Sequence, residues 1–352
     1  MIGGQRGVAS KWSMALAIAL GVSASICSDS ARSDAVEDFY RGKTLSVVIG
    51  YPPGGGFDIT ARLLMRHMSR HLPGNPNMIA KNMPGAGSLR AANYLYTIAP
   101  KDGTEFGIIG PAVPFGPLWS RDGVSFEATK FNWLGSLDRW TSIAFVWHAV
   151  KVQTLEAARS NEVIVGATGA GDMTVTFPRL LNALIGTKFT IVPGYQGTRD
   201  LTLAIERGEI DGRLGWCWDC LKIERPDWVA EKKVKILVQF AFAKHPELQD
   251  VPLVMDLAKN EEDRQIMRLA FANLEMARPF LAPPGVPAER IAALRAAFKA
   301  TAEDPAFLEE ARKLSVPINF MGWQEIEKLL QDVYATPQSI VDRAGKIIND
   351  EK

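Results

Sequence analysis

One short block limits the possible folds of this chain more than any other feature. The run from Thr44 to Tyr51 is continuously apolar and β-branched, which is typical of a buried parallel strand. The turn Pro52-Pro53-Gly54-Gly55-Gly56 ends it, and apolar residues then recur at helical spacing from Ile59 to Leu72, with Asp58 as the expected helix cap. Strands, glycine turns and helices in alternation predict an α/β fold with mostly parallel sheets.

The same block recurs in the middle of the chain. Val163 to Val165 is a strand pattern, Gly166 to Gly171 is a turn, and Asp172 or Thr174 is expected to cap the next helix. Two such blocks predict two lobes, because 352 residues is long for one domain and ordinary for two. Further strands are predicted at 77–81, 106–109, 143–150, 189–192 and 235–242, and further helices at 88–98, 154–158, 198–207, 288–301, 305–313 and 323–348.

The first thirty residues have a different pattern from the rest. Arg6 and Lys11 precede an apolar run from Trp12 to Val22, and small residues follow, as in a secretory signal peptide. The run has roughly half of the ~20 residues that a membrane-spanning helix needs. Residues 1–35 are therefore expected to be a signal peptide and leader on a secreted, soluble protein, with a buried N-terminal helix as the alternative.

Composition excludes several classes of function. The 40 Lys and Arg residues nearly balance 39 Asp and Glu residues, so no strong field favours nucleic acid or an anionic membrane. Three cysteines are too few for a disulfide framework, and four histidines leave little for a metal site. His67 and His71 have the i, i+4 spacing of metal ligands but lack the glutamate of zinc proteases, so a solvated helix face is expected. No metal, cofactor or catalytic residue is predicted.

Glycine turns are the candidate binding elements. A helix that begins after such a turn has unpaired N–H groups and a partial positive charge, and glycine allows a ligand oxygen to approach the backbone. The turn at 54–58 matches neither a phosphate loop nor a dinucleotide fingerprint, which leaves a small anion such as a carboxylate, or a plain tight turn. Gly85-Ala86-Gly87-Ser88 and Gly169-Ala170-Gly171-Asp172 are further turns of this kind. All three are expected at the carboxyl ends of strands, where open α/β sheets bind ligands.

Cys217 and Cys220 form a C-x-x-C pair within Trp216-Cys217-Trp218-Asp219-Cys220. The spacing is that of thioredoxin-like redox motifs, but the surrounding sequence does not match them well. A disulfide, free buried thiols, a catalytic redox pair and metal ligands all stay open, so a secreted thiol–disulfide oxidoreductase is the alternative function. Most of the nine tryptophans are expected in the core or between lobes, with Trp133, Trp140, Trp216 and Trp218 as candidates to line a site.

An ordered set of motifs resembles a known family. The segments 47–58 (VVIGYPPGGGFD), 82–87 (NMPGAG) and 100–104 (PKDGT) resemble the periplasmic solute receptors of tripartite tricarboxylate transporters, also called the Bug family. The segments 192–197 (VPGYQG), 208–211 (GEID) and 281–287 (LAPPGVP) extend the resemblance over nearly the whole mature chain. Departures are Ser88 in place of a common glycine, the inserted Lys101 and Gly194, and the Trp216–Cys220 block.

The resemblance implies a two-lobed, flytrap-like receptor with lobe 1 at 36–140 plus 276–352 and lobe 2 at 141–275. It implies a periplasmic monomer without catalysis that binds a small carboxylate and feeds integral-membrane transporter subunits, with a chemoreceptor role left open. The tryptophans slightly favour an aromatic or apolar-bodied acid over other di- or tricarboxylates. Ligand contacts carried over from the family are Pro53, Gly54, Gly55, Gly56, Phe57, Asp58, Gly85, Ala86, Gly87 and Ser88 in lobe 1, and Thr168, Gly169, Ala170, Gly171, Asp172, Tyr195, Gly197 and Asp211 in lobe 2.

Overall fold

The computed structural model describes residues 35–119, 121–168, 172–195 and 197–349, and two β-sheets form its centre. The first sheet has the strand order β11-β4-β10-β3-β1-β2 and the second has β7-β6-β8-β5-β9. Residues 1–34, which contain the predicted signal peptide, lie outside the described part. The strands are β1 (Thr44–Ile49), β2 (Asn77–Asn82), β3 (Glu105–Ile108), β4 (Asn132–Ser136), β5 (Ser142–Trp147), β6 (Val163–Ala167), β7 (Phe189–Pro193), β8 (Gly212–Cys217), β9 (Val234–Phe240), β10 (Pro279–Ala282) and β11 (Met321–Gly322).

Helices cover both faces of each sheet. Alternate residues of a strand point to opposite faces, and in the central strands the residues on both faces are buried. Val47 and Val48 of β1, for example, belong to different hydrophobic clusters. The helices are α1 (35–40), α2 (Gly56–Met68), α3 (Leu89–Thr97), α4 (Gly116–Trp119), α5 (Leu155–Ser160), α6 (Met173–Ile185), α7 (Thr198–Glu206), α8 (Trp218–Glu224), α9 (Pro226–Ala230), α10 (Glu261–Glu275), α11 (Ala288–Ala302), α12 (Pro305–Lys313), α13 (Trp323–Tyr334) and α14 (Gln338–Asn349).

The α/β class is confirmed, but the sheets are mixed rather than mostly parallel. Strand β1 pairs in parallel with β2 and β3, and β6 pairs in parallel with β7 and β8. Strand β10 is antiparallel to β3 and β4, β11 is antiparallel to β4, and β5 is antiparallel to β8 and β9. The pairs made by β5 and β10 are antiparallel because these two strands follow the two crossings of the chain from one sheet to the other and enter the sheets in the reverse direction.

Strands β4, β8, β10 and β11 were not predicted from the sequence. They are short or interrupted by glycine or a charged residue, so they lack a continuous apolar run; β8 contains Gly212, Arg213 and Gly215. Helix α10 and the short helices α1, α4, α8 and α9 were also missed. The single helix expected at 323–348 is two helices, because Pro337 has no N–H to donate and ends the pattern.

The chain crosses between the sheets at residues 137–141 and 275–278, which are called the crossover here. A backbone hydrogen bond from Ala277 N–H to the Asp138 carbonyl (3.0 Å) joins its two segments, and another from Trp140 N–H to the Leu274 carbonyl (2.8 Å) joins the first segment to the end of α10. All strands of the first sheet lie within 36–140 and 276–352, and those of the second within 141–275. Helix α14 nevertheless packs on α6 and α10. The lobe boundaries therefore stay a prediction.

Candidate functional site

The predicted turns lie at two sheet edges that border the same crossover. In the first sheet, β1, β2 and β3 run parallel and β4 runs in their direction through the antiparallel β10, so all four end at the edge where Ser136 leads into the crossover. In the second sheet, the end of β8 at Cys217 pairs with Ser142, the first strand residue after the crossover. The turns that follow β1, β2, β6 and β7 therefore lie on the crossover sides of their sheets.

The first turn leaves a helix N-terminus open. Gly55 is the N-cap of α2, with φ −82° and ψ 169°, and no side chain caps it. A Cβ there would lie 3.8 Å from the carbonyl oxygen of Pro52, its nearest neighbour, and residues 53–56 are exposed. The first N–H groups of a helix have no intrahelical acceptor. Those of α2 follow an exposed turn with no side-chain cap, so the anion site predicted there stays a prediction.

Asp58 supports this turn instead of capping the helix as expected. Helix α2 begins two residues earlier, and the Asp58 carboxylate accepts a hydrogen bond from Gly54 N–H at 2.9 Å. It also accepts bonds from Arg62 and Asn82. Burial acts to raise the pKa of Asp58, but these hydrogen bonds outweigh it and keep the pKa below its ordinary value. A charged carboxylate repels an anion, so Asp58 is not a ligand contact but a residue that holds the turn in shape. Gly54 N–H donates its hydrogen bond to Asp58.

The second turn has a left-handed backbone. Gly85, Ala86, Gly87 and Ser88 have φ values of 143°, 45°, 60° and 82°. Residues 85–87 are exposed, whereas the Ser88 side chain is buried and its Oγ accepts a hydrogen bond from Gly110 N–H at 3.1 Å. The Ser88 hydroxyl, one of the predicted ligand contacts, is therefore hydrogen-bonded within the protein interior.

The second-lobe turn at the start of α6 is only partly described, because Gly169, Ala170 and Gly171 lie outside the described residues. Asp172, one of the two predicted candidates, is the N-cap, and its carboxylate accepts bonds from Thr174 N–H (2.9 Å) and the Thr174 hydroxyl (2.6 Å). Thr168 N–H donates to the Thr174 hydroxyl at 3.1 Å. The polar groups of Thr168 and Asp172 are therefore engaged with Thr174.

Gly197 in the second lobe resembles Gly55 in the first. It is the N-cap of α7, has an extended backbone with φ 165°, and carries no side-chain cap. Apart from its chain neighbours, no described residue has an atom within 4 Å of the position that a Cβ would take. Tyr195 is half-buried beside it, with its ring 3.2 Å from the Cβ position of Gly166 on β6. Both residues therefore lie at the carboxyl end of the second sheet.

Asp211 does not join this group, and its expected role in the cleft is wrong. Its carboxylate accepts a hydrogen bond from Ile164 N–H at 2.8 Å, and its own N–H donates to the Ile164 carbonyl. Ile164 is near the start of β6, so Asp211 lies roughly 13 Å along the strand direction from Thr168, at ~3.3 Å per residue. It joins β6 to β8 at the opposite edge of the sheet.

Arg278 borders the first turn, although no sequence pattern pointed to it. Its guanidinium carbon lies 4.1 Å from the ring centroid of Phe57 and 5.0 Å from that of Trp140. Its Nη2 lies 3.2 Å from the Cβ position of Gly56. Burial lowers the pKa of Arg278, while the nearby Asp138 opposes that shift. A cation is therefore held beside the first-lobe turn by the crossover.

The other candidate groups belong to the framework. His67 of α2 bonds Glu310 of α12 (2.5 Å), and His71, three residues after α2, bonds Asp304, the N-cap of α12 (2.7 Å), so the solvated face expected for them is wrong. Described residues contain no group of three or more His, Cys, Asp or Glu side chains suited to a metal ion. Of the candidate tryptophans, only Trp140 is more than slightly exposed; Trp133, Trp216 and Trp218 are buried.

Cys217 and Cys220 form a disulfide, with their Cα atoms 5.1 Å apart. This is one of the alternatives that the sequence left open. Cys217 is also the N-cap of α8, and its Sγ accepts a hydrogen bond from Cys220 N–H at 3.0 Å. The pair therefore fixes the start of a helix beside the crossover.

In the parts of the chain with described structure, no helix is both long and apolar enough to cross a bilayer.

Comparisons with known proteins agree with this architecture. No protein-family model matches the chain. It is 22% identical over 325 residues to the UPF0065 protein in gbd 5'region of Cupriavidus necator, which covers 89% of this chain and 91% of that protein. It is similar to the structure of a TctC solute binding protein from Polaromonas (TM-score 0.67, 17% identity, 86% of this chain and 99% of that chain). It is also similar to an R. palustris protein with adipate (TM-score 0.59, 18% identity, 86% and 97%). The two-lobed fold and the resemblance to tripartite tricarboxylate solute receptors are confirmed.

Proposed function

We propose that this protein is a periplasmic solute receptor that holds a small carboxylate between its lobes and presents it to the membrane subunits of a tripartite tricarboxylate-type transporter. The carboxylate is bound mainly by backbone N–H groups at the glycine turns. No bond of the ligand is made or broken, so the protein is a receptor and not an enzyme.

The pair of open helix N-termini is the observation that carries this proposal. Gly55 and Gly197 are uncapped N-caps on different lobes, and both lie at edges that border the crossover. A helix N-terminus favours an anion by only about 0.3–1 kcal/mol when exposed. Contacts from both lobes to one ligand exist only when the lobes approach each other. That difference in contacts lets the ligand shift the equilibrium toward closure.

Arg278 adds a reason to favour an acid over a neutral solute. Its cation lies beside the first turn, where burial lowers the pKa of Arg278 and the nearby Asp138 acts to raise it. A carboxylate at Gly55 and Gly56 gains from both the helix N-terminus and the guanidinium, whereas an amide of the same shape loses the charge interaction. The adipate held by the R. palustris neighbour supports a dicarboxylate as the first class to test.

A thermal-shift screen of the mature protein with carboxylic acids and their amides tests the proposal. An acid at about 100 times its dissociation constant stabilises the native state by about 2.7 kcal/mol and raises Tm measurably. We expect some acids to raise Tm and the matched amides to have little effect. If no acid in the panel raises Tm, or if the amides act equally, the assignment fails. Acid uptake that depends on co-expressed membrane subunits separates transport from chemoreception.

A further inference from the structure

Arg213 carries a buried charge that the described protein does not match. It is the second residue of β8 and is 4% exposed. Its Nε and Nη1 atoms are buried without a hydrogen-bond partner, and Nη2 donates only to the Gly215 carbonyl at 3.4 Å. The guanidinium carbon lies 4.8 Å from the ring centroid of Trp216. Most of the hydrogen-bonding capacity of this cation is therefore unused.

This arrangement is unfavourable for the protein alone. A buried ionised group is ordinarily paired and hydrogen-bonded, because removal from water is costly. Burial lowers the pKa of Arg213 to about 10, while the carboxylates of Asp172 and Glu224 act in the other direction. Neither carboxylate occupies the Nε or Nη1 group. The side chain thus stays charged near neutral pH without a bonded counter-ion among the described residues.

The location of Arg213 connects it to the second-lobe turns. Gly212 lies opposite Val165 of β6, so Arg213 is level with Gly166, one residue before the end of that strand. The ring of Tyr195 lies over Gly166. The Cβ position of Gly215, two residues further along β8, is in contact with the first residues of α6. The backbone of Arg213 therefore lies where the turns before α6 and α7 meet the sheet.

We propose that Arg213 is the second-lobe anchor for an acidic group of the ligand, and that the ligand carries two such groups. This inference rests on the proposed function. One carboxylate is bound at the first-lobe turn beside Arg278, and the other accepts hydrogen bonds from the Nε and Nη1 groups of Arg213. A guanidinium suits this task because its planar fork can donate two parallel bonds to one carboxylate. Arg213 thereby determines specificity for diacids over monoacids.

The stability of the ligand-free protein provides the first test. Arg213→Met keeps an unbranched side chain and removes an unmatched buried charge, so we expect Tm to rise. Arg295→Met is the matched control. Arg295 is half-buried, but it bonds Glu327 (2.7 Å) and the Trp133 carbonyl (2.8 Å), so its loss is expected to lower Tm. If Arg213→Met lowers Tm as the control does, Arg213 is a structural residue and the inference is wrong.

Calorimetry with unbranched dicarboxylates of about four to eight carbons and their monomethyl esters provides the second test, because esterification removes one charge and retains most of the chain. We expect the wild-type protein to bind the best diacid about 10- to 100-fold tighter than its ester, as charge-assisted hydrogen bonds predict. Arg213→Met is expected to bind both with the affinity of the wild-type protein for the ester, and Arg213→Lys to recover part of the difference.

The outcomes separate the two proposals. A wild-type protein that prefers the diacid, with the same preference in Arg213→Met, overturns the role of Arg213 and leaves the receptor function standing. A wild-type protein that binds diacid and ester equally also overturns the role of Arg213 and leaves the receptor function standing. A wild-type protein that binds no carboxylic acid overturns the proposed function and with it the inference.

Discussion

The guanidinium of Arg278 lies 4.1 Å from the ring centroid of Phe57, and its Nη2 lies 3.2 Å from the Cβ position of Gly56. Arg278 belongs to the crossover, and Gly56 and Phe57 are the first two residues of α2. The same guanidinium also lies over the ring of Trp140 on the other crossover segment. A change in the crossover therefore reaches the first-lobe turn through one side chain.

Asp138 makes the stability of the crossover depend on pH. It is 2% exposed, and burial raises its pKa to about 8, although Arg278 opposes the shift; Asp219 of the second lobe adds to it. The native state therefore binds more protons than the unfolded state between pH of about 4 and 8. The stability that the protonated carboxyl contributes is complete below pH of about 4 and is lost as pH rises through 8.

Asp138→Asn tests this dependence, because the amide oxygen can still accept the hydrogen bond from Trp140 Nε1. We expect the free energy of unfolding of the wild-type protein to fall relative to the variant from pH 5 to pH 9, an interval chosen to span the raised pKa. Urea unfolding at several pH values measures the difference. Parallel profiles for the two proteins would contradict the raised pKa.

Gly55→Val tests whether the helix N-terminus binds the ligand. The backbone of Gly55 suits any residue and a Cβ has room, so we expect the fold to survive and the new methyl groups to cover the N–H groups. Affinity should fall at least about tenfold, the value of one charge-assisted hydrogen bond. Calorimetry with the best acid of the screen measures it.

Gly322→Val is the matched control for this prediction. Gly322 is the N-cap of α13, with φ −70° and ψ 157°, and its Cβ position is 3.4 Å from the nearest atom. It repeats the local change at a helix that does not begin at a predicted binding turn. Its affinity should equal that of the wild-type protein. Equal affinity in both variants would exclude the first turn from the site.

Gly197→Val extends the test to the second lobe. Its backbone is extended and no described residue beyond its chain neighbours lies within 4 Å of its Cβ position, so we expect the fold to be unstrained and a loss of affinity to report contact with the ligand. Gly87 is less suitable for such a test, because a valine at φ 60° adds about 1–2 kcal/mol of backbone strain. If Gly197→Val binds as tightly as the wild-type protein while Gly55→Val does not, the ligand contacts only one lobe and closure has another cause.

The sequence predicted the turns well and the side chains around them poorly. Glycine, proline and apolar runs act locally, so the ends of β1 and β6 could be located to within two residues from their neighbours along the chain, and the cap at Asp172 was one of two candidates. The bonds of Asp58 and Asp211 depend on which strand lies beside them, and a single sequence does not give strand order. Asp211 was therefore expected in the cleft, although it pairs with Ile164.

Arg213 and Arg278 were missed for a related reason. Each is a charged residue in a short strand or at its start, and such a residue weakens the apolar pattern by which strands are recognised. Both became candidates only through their surroundings in the fold. Arg213 has buried N–H groups without a hydrogen-bond partner, and Arg278 lies over the ring of Phe57 in the first turn. The surroundings of Arg278 lie in the crossover, which joins segments about 140 residues apart in the sequence, as the bond from Arg278 N–H to Ser136 Oγ illustrates.

The disulfide is expected to stabilise the protein without taking part in binding. A bond that closes so short a loop contributes roughly 2 kcal/mol in the chain-entropy description. Replacing both cysteines with serine isolates this contribution, because the hydroxyl that Cys217→Ser introduces is still a good N-cap for α8. We expect the double variant to unfold at lower denaturant concentration and to bind the acid unchanged. Weaker binding would place the start of α8 in the site.

An insulin-reduction assay addresses the remaining redox alternative. Cys217 is 7% exposed and its Sγ bonds Cys220 N–H, so a substrate disulfide has little access to it. A redox enzyme needs an accessible thiolate of lowered pKa as the attacking group. We therefore expect the wild-type protein to reduce insulin no faster than the double serine variant in the presence of dithiothreitol. Faster reduction by the wild-type protein that Cys217→Ser abolishes would favour the oxidoreductase alternative, because that reaction needs the cysteine pair and not the glycine turns.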